Sequence, residues 1–538
     1  MMKNFGGLLL LCLLIGCSAP KATEKLRLQV EVGQARQVVV TYHPVATQIG
    51  YEILNRGGNA FDAFVAATAA EYVLGESVTS LAGPLGALLY DARVGKAEYL
   101  DAGFNTPLDP KQKWDSKNPQ PGAAALVPGA VAGLEAISKK YGRLSLMDEL
   151  EPAIKLAESG FVLNSLYSAI IASPEYGGLL KQSAYGRKTF FRDAKPLVAG
   201  DLLTLPEVAS FLRQVAKHGS RYVYQGGWTR KCIKAVRAQG GHLSSSDFSS
   251  YKIYWRAPWK ISYRGYEIYS PQTYGGLNTL LSLKVLEHTD ITKYGPHFSQ
   301  SADAVEIMDR VQEWVGAEPW LKDRAKTDDA TFVAAQFSQA HLDDLWAKVE
   351  KRVQLPTAPN TGTHSFHIVV VDQDGNAVTG TNTIESLPWG KGIFVEGIPL
   401  TAAGILPFAS RPGERRRSSL TMQLGVKEGR LRFASGAYSA SLLAAAFEFI
   451  VNIVDYKLSS SDVVSLPRFG NRAWDLTWAQ NSRGGIWLDP RIEKSIVSSL
   501  EARGLKTVQS GHVDTGMGAV AVVHDDQTVE GSIATHKQ

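Results

Sequence analysis

The sequence predicts a fold of the α+β class, in which antiparallel β-sheets are covered by α-helices. Helical and strand patterns alternate along the 538 residues, and several neighbouring strands form hairpins. The 50 glycines and 24 prolines are spread evenly, so no long flexible linker is expected after residue 30. With 44% hydrophobic and 20% charged residues, the composition is that of a globular protein with a sizeable core.

The N-terminus, "MMKNFGGLLLLCLLIGCSAPK", predicts export. Its apolar run is typical of a signal peptide and too short to span a bilayer. Residues 14–17 resemble a bacterial lipobox, so we expect 1–17 to be a lipoprotein signal peptide and Cys17 to carry the lipid. Residues 18–30 would then be a stalk that holds the protein on the membrane of the cell envelope, facing the periplasm or the exterior. An ordinary secretory signal is the alternative.

Charge and cysteine usage exclude several kinds of partner. The net charge of +5 is small for this length, and the only dense basic run is residues 415–417, so nucleic-acid binding is not expected. Cys232 is the only cysteine after the signal region, which leaves no intramolecular disulfide. His364 and His367 are three residues apart, on opposite faces of a strand, and no metal or other cofactor is predicted.

The first predicted helix lies in "GGNAFDAFVAATAAEYVLG", residues 57–75. Its apolar residues between Phe61 and Val73 recur three and four positions apart, which indicates one buried helical face. Asn59 is a favourable N-cap, and Asp62 three residues later completes a capping box.

The remaining elements follow in order. Patterns predict a hairpin over 86–102, a turn, helix and glycine stop over 141–161, a single strand over 263–270, a helix over 440–454, and strands at 519–526 and 529–534.

The stretch "THSFHIVVVDQDGNAVTGTNTIE", residues 363–385, predicts a hairpin that is unusual in its hydroxyl groups. No polar residue separates His367 from Asp372, so the first strand is expected to be interior and buried on both faces. A three-residue loop that ends with Gly375 in the left-handed conformation pairs Asp372 with Asn376. That register places Ser365 opposite Thr383.

Two facing hydroxyls allow two interpretations. Ser and Thr pair across strands simply to satisfy hydrogen bonds. Alternatively, one hydroxyl is a nucleophile that its own α-amino group activates once the chain is cut just before it. The amine has a reference pKa near 7.7 to 8.0, so part of it is neutral at physiological pH.

From Ser365 to Glu385 the chain resembles the γ-glutamyltranspeptidases, N-terminal nucleophile hydrolases made as one precursor that cuts itself into a large and a small subunit. Further similar segments occur in family order: "GGNAFDAFVAATAA", "VPGAVAGLEAISKKYGRLSLMDELEPAIKLAESGF", "YRGYEIYSPQTYGG", "RPGERRRSSLTM" and "MGAV". The resemblance implies a four-layer αββα sandwich, in which 31–364 and 365–538 are the two subunits of one intertwined domain.

The resemblance also implies roles for particular residues. Ser365 falls on the catalytic nucleophile, Thr383 on the threonine that supports it, and Glu385 on a substrate contact. Ser418 and Ser419 fall on the serine pair that holds the donor's carboxylate. Such an enzyme attacks an amide, forms an acyl-enzyme and releases the acyl group to water or an amine.

Thr363 is a competing nucleophile, because "GTH" imitates the family motif. It would require a two-residue insertion in the strand, so Ser365 is preferred.

Several departures predict altered donor specificity. Gly103 stands where the family has the arginine that grips the glutamyl α-carboxylate, and no aspartate lies near "TAAGILPF" to bind the glutamyl amine. Ala437 and Tyr438 replace the glycine pair of the oxyanion hole, and Phe366 replaces a small residue. Losing the arginine and the carboxylate together removes most of the recognition of a free γ-glutamyl group.

Two functions therefore compete. The first is a self-processing amidohydrolase or acyltransferase that cleaves γ-glutamyl or related amide bonds, in which the arginines of 415–417 either supply the lost cation or form a solvated loop. The second is a catalytically inactive lipoprotein of the same fold that acts as a binding or scaffold protein.

Overall fold

A computed structural model describes residues 36–75, 77–318, 326, 328–353, 365–406, 411–416, 418–439, 441–470, 472–473, 485–509 and 513–534. The proposed signal peptide, stalk and Cys17 lie outside the described residues, as do Thr363, His364 and Arg417. None of the helices among the described residues combines the length and apolarity needed to cross a lipid bilayer.

Two six-stranded antiparallel sheets form the centre of the molecule. Their strands in chain order are β1 (Val38–Val40), β2 (Leu85–Asp91), β3 (Lys96–Ala102), β4 (Tyr254–Arg256), β5 (Trp259–Tyr263), β6 (Tyr266–Ser270), β7 (Ser365–Val371), β8 (Ala377–Thr383), β9 (Gln423–Lys427), β10 (Arg430–Tyr438), β11 (Met517–Val523) and β12 (Val529–Ala534). The first sheet has the order β1-β7-β8-β2-β3-β4, and the second has the order β12-β11-β10-β9-β6-β5. Two strands from after residue 364 therefore lie between strands from before it in the first sheet, and the two sets of strands adjoin in the second.

One helix layer covers the outer face of the first sheet. Its helices are α1 (Pro44–Asn55), α2 (Ala60–Leu74), α3 (Ala130–Tyr141), α4 (Leu146–Ser159), α5 (Ser165–Ala172), α6 (Pro174–Gln182), α7 (Ala184–Phe190), α8 (Pro206–His218), α9 (Arg221–Tyr224), α10 (Gly227–Ala238) and α11 (Ser245–Ser249).

The second helix layer covers the outer face of the other sheet. It consists of α12 (Tyr274–Leu286), α13 (Ala302–Ala317), α14 (Ala330–Gln336), α15 (Gln339–Glu350), α16 (Leu442–Val454), α17 (Ser460–Ser465) and α18 (Lys494–Ala502). Short unlabelled strands occur at Phe161–Val162, Phe191–Arg192, Lys195–Pro196, Leu202–Leu203, Phe394–Val395, Ile398–Pro399, Phe469–Gly470, Arg472–Ala473, Ile486–Leu488, Thr507–Gln509 and Val513–Asp514.

Three apolar cores lie between the four layers. The middle core joins the two sheets and includes Val369 and Val371 of β7 with Leu424 of β9. Ile368 and Val370, which alternate with them, belong instead to the core under the first helix layer. The predicted αββα sandwich is therefore confirmed, and β7 is buried on both faces as expected.

The hairpin β7–β8 has the predicted register. Ser365 pairs with Thr383 and Val371 with Ala377. Gly375 has φ = 82°, and its amide donates to the Asp372 carbonyl at 3.0 Å, which closes the three-residue loop. β7 also pairs with β1, so it is an interior strand.

Most other predicted elements are present, with one difference. Helix α2 begins after Asn59 with the expected capping box to Asp62. The predicted strand over 263–270 is instead the end of β5, a turn and β6. Arg264 and Gly265 have φ of 49° and 82°, the two left-handed residues that a tight hairpin turn requires.

Candidate active site

Ser365 and Thr383 lie side by side at one end of the first sheet. Ser365 is the first residue of β7, Thr383 is the last of β8, and they are paired across the ladder. Ser365 is 5% exposed and Thr383 is fully buried. Side chains two apart on a strand share a face, so Ser365 is on the side of Val369, toward the second sheet. The sequence thus predicted the pairing of these two residues, and the face on which they lie comes from the structure.

The chain turns sharply after Thr383. The main-chain N–H of Glu385 donates to Thr383 Oγ1 at 2.9 Å, and Glu385 has φ = 42°. A left-handed conformation is unusual for glutamate and persists where the surroundings hold it. Here the Thr383 hydroxyl is one of the groups that hold this conformation, so Thr383 joins the predicted nucleophile, with which it pairs, to a predicted substrate contact.

Glu385 and Ser418, which the sequence placed at the donor site, meet in the structure. Ser418 Oγ donates to Glu385 Oε1 at 3.4 Å. Burial raises the pKa of Glu385, while Arg416 and Ser418 act in the opposite direction. Ser419 is partly buried, and its main chain packs against Gly275 at the start of α12. The structure therefore brings Glu385 and Ser418 together, while the contact of Ser419 is with α12.

Arg415 and Arg416 are each only 5% exposed, so the solvated-loop interpretation is wrong for them. Arg415 Nε lies 3.1 Å from Asp101 Oδ1, and its guanidinium donates to Tyr251 Oη at 3.0 Å and to the carbonyl of Gly103. A Cβ built on Gly103 would lie 3.2 Å from Arg415 Cδ. The guanidinium of Arg415 therefore lies against the position where the resemblance places an arginine.

Arg416 follows Arg415 and has different partners. Its guanidinium donates to the carbonyls of Ala403 and Leu406. The charge of Arg416 opposes the rise in the pKa of Glu385, which places a buried cation near that carboxyl group.

Ala437 and Tyr438, the predicted oxyanion-hole residues, end β10. The Ala437 N–H donates to Thr421 Oγ1 at 3.2 Å, and the Thr421 hydroxyl donates to the Ala437 carbonyl at 2.9 Å. Successive amides of an extended strand point to opposite sides, so the amides of Ala437 and Tyr438 do not converge on one point in this chain. Their role as oxyanion donors stays a prediction. Thr421 is a neighbour that the sequence did not single out.

Two aromatic rings pack against Phe366, next to the predicted nucleophile. Its ring stacks on Tyr42 with centroids 4.4 Å apart and meets Tyr438 edge-on at 6.4 Å. A Cβ on Gly75 would overlap the Phe366 ring. Gly75 therefore leaves room for a large residue at a position where the resemblance has a small one.

His367 is the residue of the site that the sequence missed. It is fully buried on the same face as Ser365, with Nδ1 2.8 Å from Thr381 Oγ1 and Nε2 2.7 Å from Thr379 Oγ1. The signal was available, because the register that pairs Ser365 with Thr383 also pairs His367 with Thr381. Among the described residues, no group of three or more His, Cys, Asp or Glu side chains is arranged to hold a metal ion.

Comparisons with known proteins find relatives over most of the chain. The sequence profile of the family Gamma-glutamyltranspeptidase matches residues 46–535. An acylase ACY 1 proenzyme of Pseudomonas sp. (strain SE83) is 31% identical over 93% of this chain and 92% of its own. The glutathione hydrolase proenzyme of Escherichia coli (strain K12) is 28% identical over 87% of this chain and 85% of its own.

A solved structure shows the same fold. The cephalosporin acylase from Bacillus halodurans is 21% identical and superposes with a TM-score of 0.78 over 93% of this chain and 96% of its own. The family profile covers most of the sequence, and Ser365 pairs with Thr383 in the register that the hairpin loop predicted. The chain belongs to the Gamma-glutamyltranspeptidase family of N-terminal nucleophile hydrolases.

Proposed function

We propose that this protein is an exported, self-processing amidohydrolase or acyltransferase that forms an acyl-enzyme on Ser365. The observation that carries the proposal is the pairing of Ser365 with Thr383 at the head of an interior strand. Relatives named as acylase and glutathione hydrolase proenzymes support the class of reaction.

Cutting the peptide bond between residues 364 and 365 would give Ser365 a free α-amino group. In its neutral form this amine takes the hydroxyl proton while Ser365 Oγ attacks the amide carbonyl of a donor. The leaving amine receives that proton, and the acyl group stays on Ser365 as an ester. Water or an acceptor amine then attacks the ester and restores the hydroxyl.

The donor specificity is proposed to differ from that for a free γ-glutamyl group. Gly103 offers no side chain to a carboxylate, and Arg415 is committed to Asp101, Tyr251 and main-chain carbonyls. What remains on the donor side is Ser418, Ser419 and Glu385, with the buried charge of Arg416 nearby. A donor amide whose acyl chain lacks the α-amino acid group fits this arrangement better.

One gel and one mass measurement test the proposal. The purified wild type is expected to run as two chains, the smaller starting at Ser365, and Ser365→Ala is expected to stay uncut and inactive. Thr363→Ala is the matched control and should cut normally. A small chain that starts at residue 363, or an uncut wild type with no turnover, would contradict the assignment.

Substrate choice is tested with two anilides of equal length. One carries a γ-glutamyl group, and the other carries an acyl chain with a terminal carboxylate but no α-amino acid group. The second is expected to give the higher kcat/KM. A strong preference for the γ-glutamyl compound would contradict the altered specificity.

The alternative is a scaffold without turnover. It is favoured by the engagement of the Ala437 amide with Thr421, since that contact occupies a proposed oxyanion donor. A single band in both fresh and aged wild type would support it.

The proposal of a lipid anchor at Cys17 has its own test. The wild type is expected to fractionate with membranes, and Cys17→Ala is expected to be soluble after export. Release of the wild type in unlipidated form would favour the ordinary secretory signal.

A further inference from the structure

His367 lies inside a chain of hydrogen bonds that runs between the two sheets. The links are Thr381 Oγ1 to His367 Nδ1 at 2.8 Å, His367 Nε2 to Thr379 Oγ1 at 2.7 Å, and Thr379 Oγ1 to the Ser435 carbonyl at 2.9 Å. All three side chains are no more than 1% exposed. These bonds begin on β8 at Thr381, pass through His367 on β7, return to β8 at Thr379 and end on β10 at Ser435.

The direction of these bonds fixes the imidazole tautomer. Thr379 has one hydroxyl proton and donates it to the Ser435 carbonyl, so toward His367 it can only accept. Nε2 of His367 must therefore carry a proton. Burial lowers the pKa of His367 to about 3, so the ring is neutral and Nδ1 is left as an acceptor for the Thr381 hydroxyl.

The same ring touches the strand that carries the candidate oxyanion donors. A Cβ built on Gly436 would overlap the His367 ring, so the ring lies directly on the main chain of β10. Gly436 comes immediately before Ala437, and Ser435 accepts the last bond of the chain. His367 is also two residues from Ser365 on the same face of β7. His367 therefore lies close to both parts of the proposed catalytic centre, Ser365 and the Ala437–Tyr438 segment, without touching the reacting atoms.

We propose that His367, as the neutral Nε2–H tautomer, is a positioning residue that sets the separation between Ser365 and the Ala437–Tyr438 segment. This inference rests on the proposed function. His367 does not touch the reacting atoms. It acts by fixing β7 against β10 through Thr379 and the contact with Gly436.

Variants of His367 separate positioning from stability. His367→Phe fills the space but breaks both hydrogen bonds, and His367→Gln keeps a donor that reaches toward Thr379. A misplacement of about 1 Å in a reacting group is worth about 100-fold in rate, so we expect kcat of His367→Phe to fall about 100-fold with KM little changed. His367→Gln should retain more turnover than His367→Phe.

His297 offers a matched control. It is a buried histidine under the second helix layer, with Nδ1 2.8 Å from Ser299 Oγ and Nε2 3.0 Å from Asn452 Oδ1. His297→Gln is expected to lower the Tm about as much as the His367 variants do and to leave kcat within about twofold, since the hydrogen bonds of His297 go to Ser299 and Asn452 rather than to β7 or β10. Equal losses of kcat in His367→Phe and His297→Gln, or an unchanged kcat in His367→Phe, would overturn the proposal.

The tautomer is read without any turnover. In ¹⁵N-labelled protein at pH 7, the ring signals that disappear in His367→Gln should be those of a neutral Nε2–H imidazole. A charged ring or the Nδ1–H tautomer would overturn the hydrogen-bond chain itself. An uncut, inactive wild type with the expected ring signals would contradict the proposed function and the positioning role of His367 with it. The hydrogen bonds through His367 would still stand.

Discussion

At the residue scale, the Thr383 hydroxyl joins the candidate nucleophile to the donor side. It faces Ser365 across the ladder and accepts the amide of Glu385 at 2.9 Å. The first relation follows from strand register and loop length, so the sequence was sufficient for it. The bond to the Glu385 amide depends on the left-handed turn at Glu385, and the residue types around it do not predict that turn.

Thr383→Val tests this link. The valine keeps the shape but leaves the buried Glu385 amide without its acceptor, so we expect the free energy of unfolding to fall by about 1–3 kcal/mol and turnover to fall with it. Urea unfolding and initial rates measure the two effects. Thr383→Ser keeps the hydroxyl and should stay near the wild type in stability. Equal stability of the valine variant and the wild type would contradict the bond's importance.

Glu71 on α2 predicts a pH dependence of stability. It is fully buried, accepts the His43 amide at 3.0 Å, and burial raises its pKa to about 8. Between the ordinary value of 4.5 and about 8, the folded state keeps a proton that the unfolded state has lost. The contribution of Glu71 to stability is therefore greatest below pH 4.5 and is lost as the pH rises toward 8.

Glu71→Gln removes that dependence, because the amide mimics the protonated acid. We expect the variant to gain stability relative to the wild type as the pH rises from 5 to 8, as measured by urea unfolding at several pH values. Glu52→Gln, an exposed position on α1, is the control and should show no such gain. A constant difference between Glu71→Gln and wild type across this range would refute the assignment.

At the element scale, the loop of the β7–β8 hairpin also supports a helix. Asp372 Oδ1 accepts the amides of Asp374 and Asn376, both at 3.0 Å, and Oδ2 accepts the amide of Ala60 at 2.9 Å. The loop residues predicted the turn. That the same carboxylate binds the first turn of α2 depends on a separation of 312 positions, which no local pattern encodes.

Asp372→Ala should therefore damage two elements together. It leaves several buried donors without an acceptor, and we expect a loss of about 3 kcal/mol or more in the free energy of unfolding. Asn59→Ala, which removes the N-cap of α2 and the bond from Asn59 Nδ2 to the Tyr141 carbonyl at 2.7 Å, should cost about 1–2 kcal/mol. Urea unfolding of both variants measures the comparison, and an Asp372→Ala cost no larger than that of Asn59→Ala would show that the loop does not hold the helix.

Longer-range packing explains what else the sequence concealed. Periodicity was enough to predict the helices and hairpins, because each of them is formed by consecutive residues. The burial of Arg415 and Arg416 was not visible, because their partners Asp101, Ala403 and Leu406 belong to other segments. A run of three arginines has the same appearance in a sequence whether it is solvated or enclosed.

At the scale of the whole molecule, the two segments separated at residue 364 share both sheets. Strands β7 and β8 lie between β1 and β2, and β9 of the second sheet pairs with β6. Removal of either segment would expose sheet edges and the middle core. The four layers are therefore one folding unit with two potential chains.

We expect the cut chains to remain associated. Native gel filtration of the wild type should give one peak that contains both chains, at the elution volume of uncut Ser365→Ala. The chains should separate only in denaturant, with a single unfolding transition. Release of a small chain under native conditions would contradict the shared sheets.

The closeness of Arg415 to Gly103 couples two positions that are far apart in the sequence. Cδ of Arg415 lies 3.2 Å from where a Cβ at position 103 would stand, so a larger residue there requires Arg415 to shift by a few tenths of an ångström. A shorter side chain at position 415 is expected to make a larger residue at position 103 easier to accommodate. A double variant at 103 and 415 should therefore cost less stability than the sum of the two single variants.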